Sequence, residues 1–139
     1  MKRYFALVII STLFFMGCEK QETETLKNAD LIIGTWINPI YLDSTFTLKS
    51  SKAIDVENYG ITFNANNTLT EHKNSGWCGT PPVSYAEFEG NWELSDSILS
   101  ISVAYWGGMA NYKWKIISIN DSTIEIYSIQ EDYHMEERD

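Results

Sequence analysis

Few residues in this chain are suited to covalent or acid–base chemistry: it has two cysteines and two histidines. Cys78 as a nucleophile needs a general base within hydrogen-bond reach, and the histidines that could supply it are His72 and His134. His72 precedes Cys78 across a turn-rich stretch and His134 lies in a polar tail, so no patterned Cys–His–Asp arrangement exists. One thiol with scattered histidines and carboxylates also lacks metal-site spacing. We therefore expect no enzyme activity, no catalytic residue, no metal and no cofactor.

The other cysteine, Cys18, ends an apolar leader. Lys2 and Arg3 open the chain, and the apolar run of thirteen residues that follows at 4–16 is shorter than the roughly 20 residues of a membrane span. Residues 15–18 (FMGC) resemble the lipobox of bacterial lipoproteins, in which the leader is cut before the Cys and acyl chains such as palmitate are attached there. The resemblance implies that Cys18 is a membrane anchor. The alternative is an ordinary secretory leader with a coincidental Cys.

Composition and the lipobox resemblance together predict four parts of the chain. They are a signal peptide at 1–17, a lipidated Cys with a flexible acidic tether at 18–30, a domain at 31–133 and a polar tail at 134–139. Without the leader, eight Lys or Arg oppose nineteen Asp or Glu, which gives a net charge of −11. Such a surface repels nucleic acid and anionic headgroups, so the lipid anchor has to hold the membrane. We expect a lipid-anchored protein of the bacterial cell envelope, at the outer membrane, on its periplasmic or surface face.

The domain shows the alternation of apolar and polar residues that is typical of β-strands. The clearest strand is 85–94, where Phe88 and Trp92 face one way and Glu87 and Glu93 face the other. The predicted strands are 32–37, 45–48, 59–63, 68–73, 85–94, 98–105, 112–116 and 123 to about 131. An amphipathic meander hides its apolar face and its edges by closing on itself. The sequence therefore predicts an all-β, antiparallel, up-and-down barrel of about eight strands.

Eight aromatic side chains fall on the predicted inner faces of these strands. They are Trp36, Tyr59, Phe63, Phe88, Trp92, Tyr105, Tyr112 and Trp114. As a cavity lining they would suit a small apolar ligand that the Tyr hydroxyls orient. As packing they would simply fill the barrel, and an eight-stranded barrel is compatible with both arrangements.

The most distinctive sequence outside the leader is the stretch 74–84 (NSGWCGTPPVS), which has no strand periodicity. Trp77 and Cys78 lie side by side there, on a segment stiffened by two prolines. We expect this rim loop to cover the mouth of the barrel or to contact a partner. The alternative is a connecting loop whose Trp caps the barrel end.

Two aromatic motifs resemble those of lipocalin-like domains in bacterial lipoproteins, within the wider calycin group. They are Gly34–Thr35–Trp36 in the first strand and Gly90–Asn91–Trp92–Glu93–Leu94 in mid-domain, within a succession of hairpins at 31–133. The resemblance implies binding of a small hydrophobic ligand in the barrel. The alternative is a solid barrel that presents loop 74–84 to another envelope protein. Lipocalins commonly pack an Arg on this Trp, but here Arg138 lies beyond the last strand.

Overall fold

The computed structural model describes residues 29–137, where a helical turn at 29–32 precedes eight β-strands. The predicted signal peptide, Cys18, most of the tether and Arg138 lie outside the described residues. The strands are β1 (Gly34–Leu42), β2 (Thr45–Ser51), β3 (Gly60–Phe63), β4 (Thr68–Asn74), β5 (Tyr85–Ser95), β6 (Ile98–Tyr105), β7 (Gly108–Ile119) and β8 (Thr123–Met135). They form a closed barrel in which every pair is antiparallel, so the expected all-β barrel is confirmed. No helix among these residues is long and apolar enough to cross a membrane.

The strand order departs from a simple up-and-down meander at one place. From β3 to β8 each strand pairs with the next one, but β1 lies between β2 and β3, and β2 closes the barrel against β8. The connection at 52–59 therefore passes over the outside of the barrel. The Cα of Gly60 faces this connection, because the next residue, Ile61, has its side chain buried in the interior and strand residues alternate between the two faces. A Cβ on Gly60 would lie 2.7 Å from Cγ1 of Ile54, so only glycine gives the connection room to pass.

One end of the barrel is closed by the helical turn and by two tryptophans. Ile32 is fully buried there, and its carbonyl oxygen accepts a 2.7 Å hydrogen bond from Nε1 of Trp36, so Ile32 covers Trp36. Nε1 of Trp92 donates to the carbonyl oxygen of Asn64 at 3.1 Å. The prediction that the first strand starts at Ile32 is wrong, because the chain leaves the helical turn through Gly34, whose φ of 136° favours glycine.

Several strands continue further than their sequence patterns indicate, and β1 and β8 extend furthest at their C-terminal ends. Asn38, with φ of 55°, forms a bulge within β1 instead of ending it, and β1 runs on to Leu42. β8 runs to Met135, past the expected limit near Glu131. Because β2 pairs with β8 only up to Tyr127, the last residues of β8 pair with β7 alone.

Candidate functional site

The second end of the barrel, opposite the tryptophan-closed end, is the candidate site, and we call it the rim. Antiparallel order brings four features together there: the β1–β2 turn at 43–44, the loop at 75–84, the β6–β7 turn at 106–107 and the end of β8. Exposed apolar side chains lie at this end, among them Leu42 at the end of β1, Trp77 in the loop and Met135 at the end of β8. Exposed apolar side chains concentrated at one end of a molecule indicate a contact surface.

All eight aromatic residues singled out from the sequence point into the barrel or pack against its core. Five are buried, namely Trp36, Phe63, Trp92, Tyr112 and Trp114, and three are partly buried, namely Tyr59, Phe88 and Tyr105. The rings of Tyr112 and Trp114 stack with centroids 5.2 Å apart, and Phe63 meets Trp92 edge-on at 5.7 Å. Trp36, Trp92 and Trp114 are 2%, 6% and 3% exposed, whereas side chains that line a ligand-sized cavity would leave more of their surface without a contact. In this conformation these rings fill the barrel.

A charged pair lies inside the barrel toward the rim. Glu71 and Lys73 of β4 share the inward face with Leu69, and their side chains are 3% and 14% exposed. Nζ of Lys73 contacts Oε2 of Glu71 at 2.6 Å and donates to the hydroxyl of Tyr112 at 3.0 Å. The hydroxyl of Tyr59 donates to Oε1 of Glu71 at 2.9 Å. The carboxylate and the ammonium are thus both paired and hydrogen-bonded, as buried charges need to be.

The Glu71–Lys73 pair was missing from the sequence-based site. The sequence does contain information that could have identified it. Glu71 and Lys73 follow Leu69 at steps of two residues, so all three side chains lie on the same face of β4. Lys73 also lies 5.5 Å from the ring centroid of Phe88 and 5.4 Å from that of Tyr112. Two of the predicted aromatic residues therefore surround a charge that the sequence had not assigned to the interior.

Tyrosine hydroxyls around this pair have shifted pKa values. Burial, followed by the charge of Glu71, raises the pKa of Tyr59 well above its ordinary value of 10.0, and the same two causes raise the pKa of Tyr112. Both hydroxyls therefore stay protonated in the folded chain at pH values that ionise them in the unfolded chain. Both hydroxyls can therefore still donate to Glu71 in the folded chain when the pH exceeds their ordinary pKa of 10.0.

We expect the fold to lose stability as the pH rises above about 10. Because the folded pKa values of Tyr59 and Tyr112 are raised, their contribution is complete below the unfolded pKa of 10.0 and is lost progressively above it. The measurement is the urea midpoint at about pH 9 and about pH 11, together with tyrosinate absorbance. A Tyr59→Phe variant should show a shallower alkaline loss, and an equally steep loss would contradict the assignment.

The rim loop that follows β4 holds Trp77 out in solvent. Trp77 is 82% exposed, so it does not cap the barrel end, and Cys78 is an exposed free thiol. The base of the loop is fixed, because the amide of Ser75 donates to the carbonyl oxygen of Ser84 at 2.8 Å. The side-chain amide of Asn74 donates to the carbonyl oxygen of Cys78 at 3.2 Å. Trp77 is therefore presented from an anchored loop.

The two histidines lie on strands outside this loop. His72 is buried on the outer face of β4, where Nδ1 donates to the carbonyl oxygen of Asn58 at 2.7 Å and the ring stacks on Tyr85. His134 is exposed near the end of β8. Within residues 29–137, no three His, Cys, Asp or Glu side chains are placed to hold a metal ion. The ring of His72 thus packs the crossing segment onto the barrel.

Two clefts lie on the outside of the barrel. One, of about 480 Å³, crosses the outer face of β5 to β8 and is lined mainly by polar side chains such as Asn91, Ser102 and Asn111. The other, of about 380 Å³, lies at the rim between the β1–β2 turn and β8. We call it the rim cleft; its lining residues are Tyr41, Asp43, Ser44, Thr45, Phe46, Ser128, Ile129, Gln130 and Glu131.

Comparisons with known proteins identify no relative of this chain. Protein-family profiles, curated protein sequences and solved structures give no match to this chain. The eight-stranded antiparallel closed barrel is consistent with a calycin-like fold. Fold alone does not imply function, so only the surface and the interior of the barrel can indicate what the protein does.

Proposed function

We propose that this protein is a lipid-anchored, lipocalin-like β-barrel that acts as an interaction module for another protein of the bacterial cell envelope. The observation that carries the proposal is Trp77, 82% exposed on a loop whose base is hydrogen-bonded. Trp is usually highly buried, and it is among the residues most enriched in interface hot spots. A partner that covers Trp77 would gain the apolar burial that the isolated chain lacks.

The anchor part of the proposal is supported by the leader. The apolar run before Cys18 is too short to span a bilayer and ends on a lipobox-like sequence. Acylation at Cys18 would hold an acidic domain at the outer membrane, which charge alone would not do. The polar tether that follows Cys18 gives the barrel reach toward a neighbouring envelope protein.

Cys78 allows a direct test, because it is exposed beside Trp77. A photo-crosslinker attached to Cys78 of the full chain in intact envelopes should give one discrete adduct, which Trp77→Ala abolishes. Ile117→Ala, on another part of the surface, should leave the adduct unchanged. An adduct that survives Trp77→Ala would refute the module. A separate experiment tests the anchor: the Cys18→Ser variant should incorporate no labelled palmitate. Incorporation in that variant would refute acylation at Cys18 and leave the interaction module untouched.

A second candidate function is binding of a small hydrophobic ligand inside the barrel. The observation that favours it is Nε1–H of Trp114, which is buried and has no hydrogen-bond partner among residues 29–137. A ligand with a hydrogen-bond acceptor would satisfy this donor, but the packed side chains inside the barrel would have to move apart to admit it. This candidate requires side-chain movement, whereas presentation of Trp77 does not.

A further inference from the structure

The last part of β8 has backbone groups without a strand partner on one side. β2 pairs with β8 as far as Tyr127, and the amide of Ser128 donates to the carbonyl oxygen of Ser44 at 2.9 Å. Beyond this bond only β7 pairs with β8, up to Met135. Over the described residues, the segment 129–135 is therefore a free sheet edge, and we call it the β8 edge. Unpaired edges of this length are templates for another strand.

The rim cleft runs beside this edge and supplies side-chain contacts for an added strand. Tyr41 and Ile129, which line the cleft, are exposed, and so are Tyr133 and Met135 further along β8. In strand addition, main-chain hydrogen bonds give affinity and pockets beside the edge select alternate side chains. The β8 edge thus has both components of such a site.

Charge indicates which kind of strand fits. The edge and its continuation carry four exposed carboxylates, those of Glu131, Asp132, Glu136 and Glu137, and Asp43 adds a fifth from the rim cleft. Within residues 29–137 the only Lys or Arg ion pair joins Lys73 to Glu71, so these carboxylates have no cationic partner there. A second copy would place like charges opposite each other, which is destabilising.

We propose that the β8 edge binds an extended, basic segment of a partner protein, which adds a strand antiparallel or parallel to β8. Lysine or arginine side chains of that segment would meet the carboxylates, while its apolar side chains would enter the rim cleft. This surface is independent of Trp77. β4, which leads into the loop of Trp77, lies four places from β8 in the order of the barrel.

The test measures backbone protection directly. Hydrogen–deuterium exchange of the full chain in detergent is followed in the segment 128–136 while a short synthetic peptide of alternating lysine and valine is added. Exchange of this segment should slow at saturating peptide. The matched glutamate–valine peptide should give no protection, and a lysine–valine peptide with alternate backbone N-methyl groups should bind at least about tenfold more weakly, because it lacks ladder donors.

Variants separate the charge from the backbone. Glu131→Lys with Asp132→Lys should weaken binding of the lysine–valine peptide about tenfold or more, and binding should also weaken with salt. Glu125→Lys, on the part of β8 that pairs with β2, is the matched control and should bind like the parent chain. Equal binding of the glutamate–valine peptide, or protection outside this segment, would overturn the proposal. Protection of the segment without peptide, from the tether or from a second copy, would overturn it too.

Discussion

Replacing Trp92 by alanine should lower the free energy of unfolding by about 3–5 kcal/mol. The indole is 6% exposed, meets Phe63 edge-on at 5.7 Å and donates to the carbonyl oxygen of Asn64 at 3.1 Å. Removing it leaves a void in the closed end of the barrel and takes one of two hydrogen bonds from the carbonyl oxygen of Asn64, which keeps the bond from the amide of Asn67 at 3.2 Å. The void therefore accounts for most of the expected loss. Urea denaturation followed by far-UV circular dichroism measures the loss, provided that the transition stays two-state.

Trp77→Ala is the matched control, because it removes the same side chain from a position that is 82% exposed. Its effect should stay within about 0.5 kcal/mol. The comparison also bears on the small-ligand candidate. If Trp92 lined a cavity, Trp92→Ala would abolish binding of the dye 1-anilinonaphthalene-8-sulfonate while stability changed little. That result would contradict a filled barrel. A filled barrel would be supported if the parent chain binds no dye and Trp92→Ala causes a large loss of stability.

Alternation in the sequence predicted the barrel and its inner faces well. A strand has a period of two, so once Phe88 and Trp92 are assigned to the interior, the faces of all residues between them follow. Closure also follows, because an apolar face and free edges have to be covered. The sequence did not predict which strands lie beside β1 and β2. The pattern of a strand indicates which of its faces is buried, but it contains no information about which strand pairs with it.

The end of β8 illustrates a second limit. From Ile129 to Met135 every residue is exposed, so neither face shows a burial signal that alternation could reveal. Pairing with β7 holds this segment in place, and backbone hydrogen bonds do not depend on side-chain pattern. The β8 edge therefore lies across the position at which the sequence predicted that the domain ends and a polar tail begins.

The rim loop was predicted from its turn-forming residues, but the Glu71–Lys73 pair was not. Charged residues are almost never fully buried without a partner, so the expectation that they lie outside usually holds. It failed here because two opposite charges at adjacent inward positions of β4 satisfy each other. The sequence predicts this pair only if the alternation is continued from Leu69, an inward residue, through Glu71 to Lys73.

Lys73→Met should therefore be among the most destabilising single changes in the chain, at about 3–5 kcal/mol. The ammonium that neutralises Glu71 disappears, while the carboxylate stays 3% exposed with only the hydroxyls of Tyr59 and Tyr112 as partners. The apolar replacement keeps the volume of the lysine stem, so the loss reports the charge and not a cavity. Lys113→Met, at an exposed position of β7, is the control and should change stability by less than about 0.5 kcal/mol.

The double variant Lys73→Met with Glu71→Gln decides what this loss means. Glutamine can still accept the hydrogen bond from Tyr59, and no unpaired charge remains inside the barrel, so most of the stability should return. The coupling between the two positions, obtained from urea denaturation of both single variants and the double variant, should then be large and favourable. A double variant as unstable as Lys73→Met alone would show that lysine packing against Phe88 and Tyr112, not the ion pair, holds this part of the barrel together.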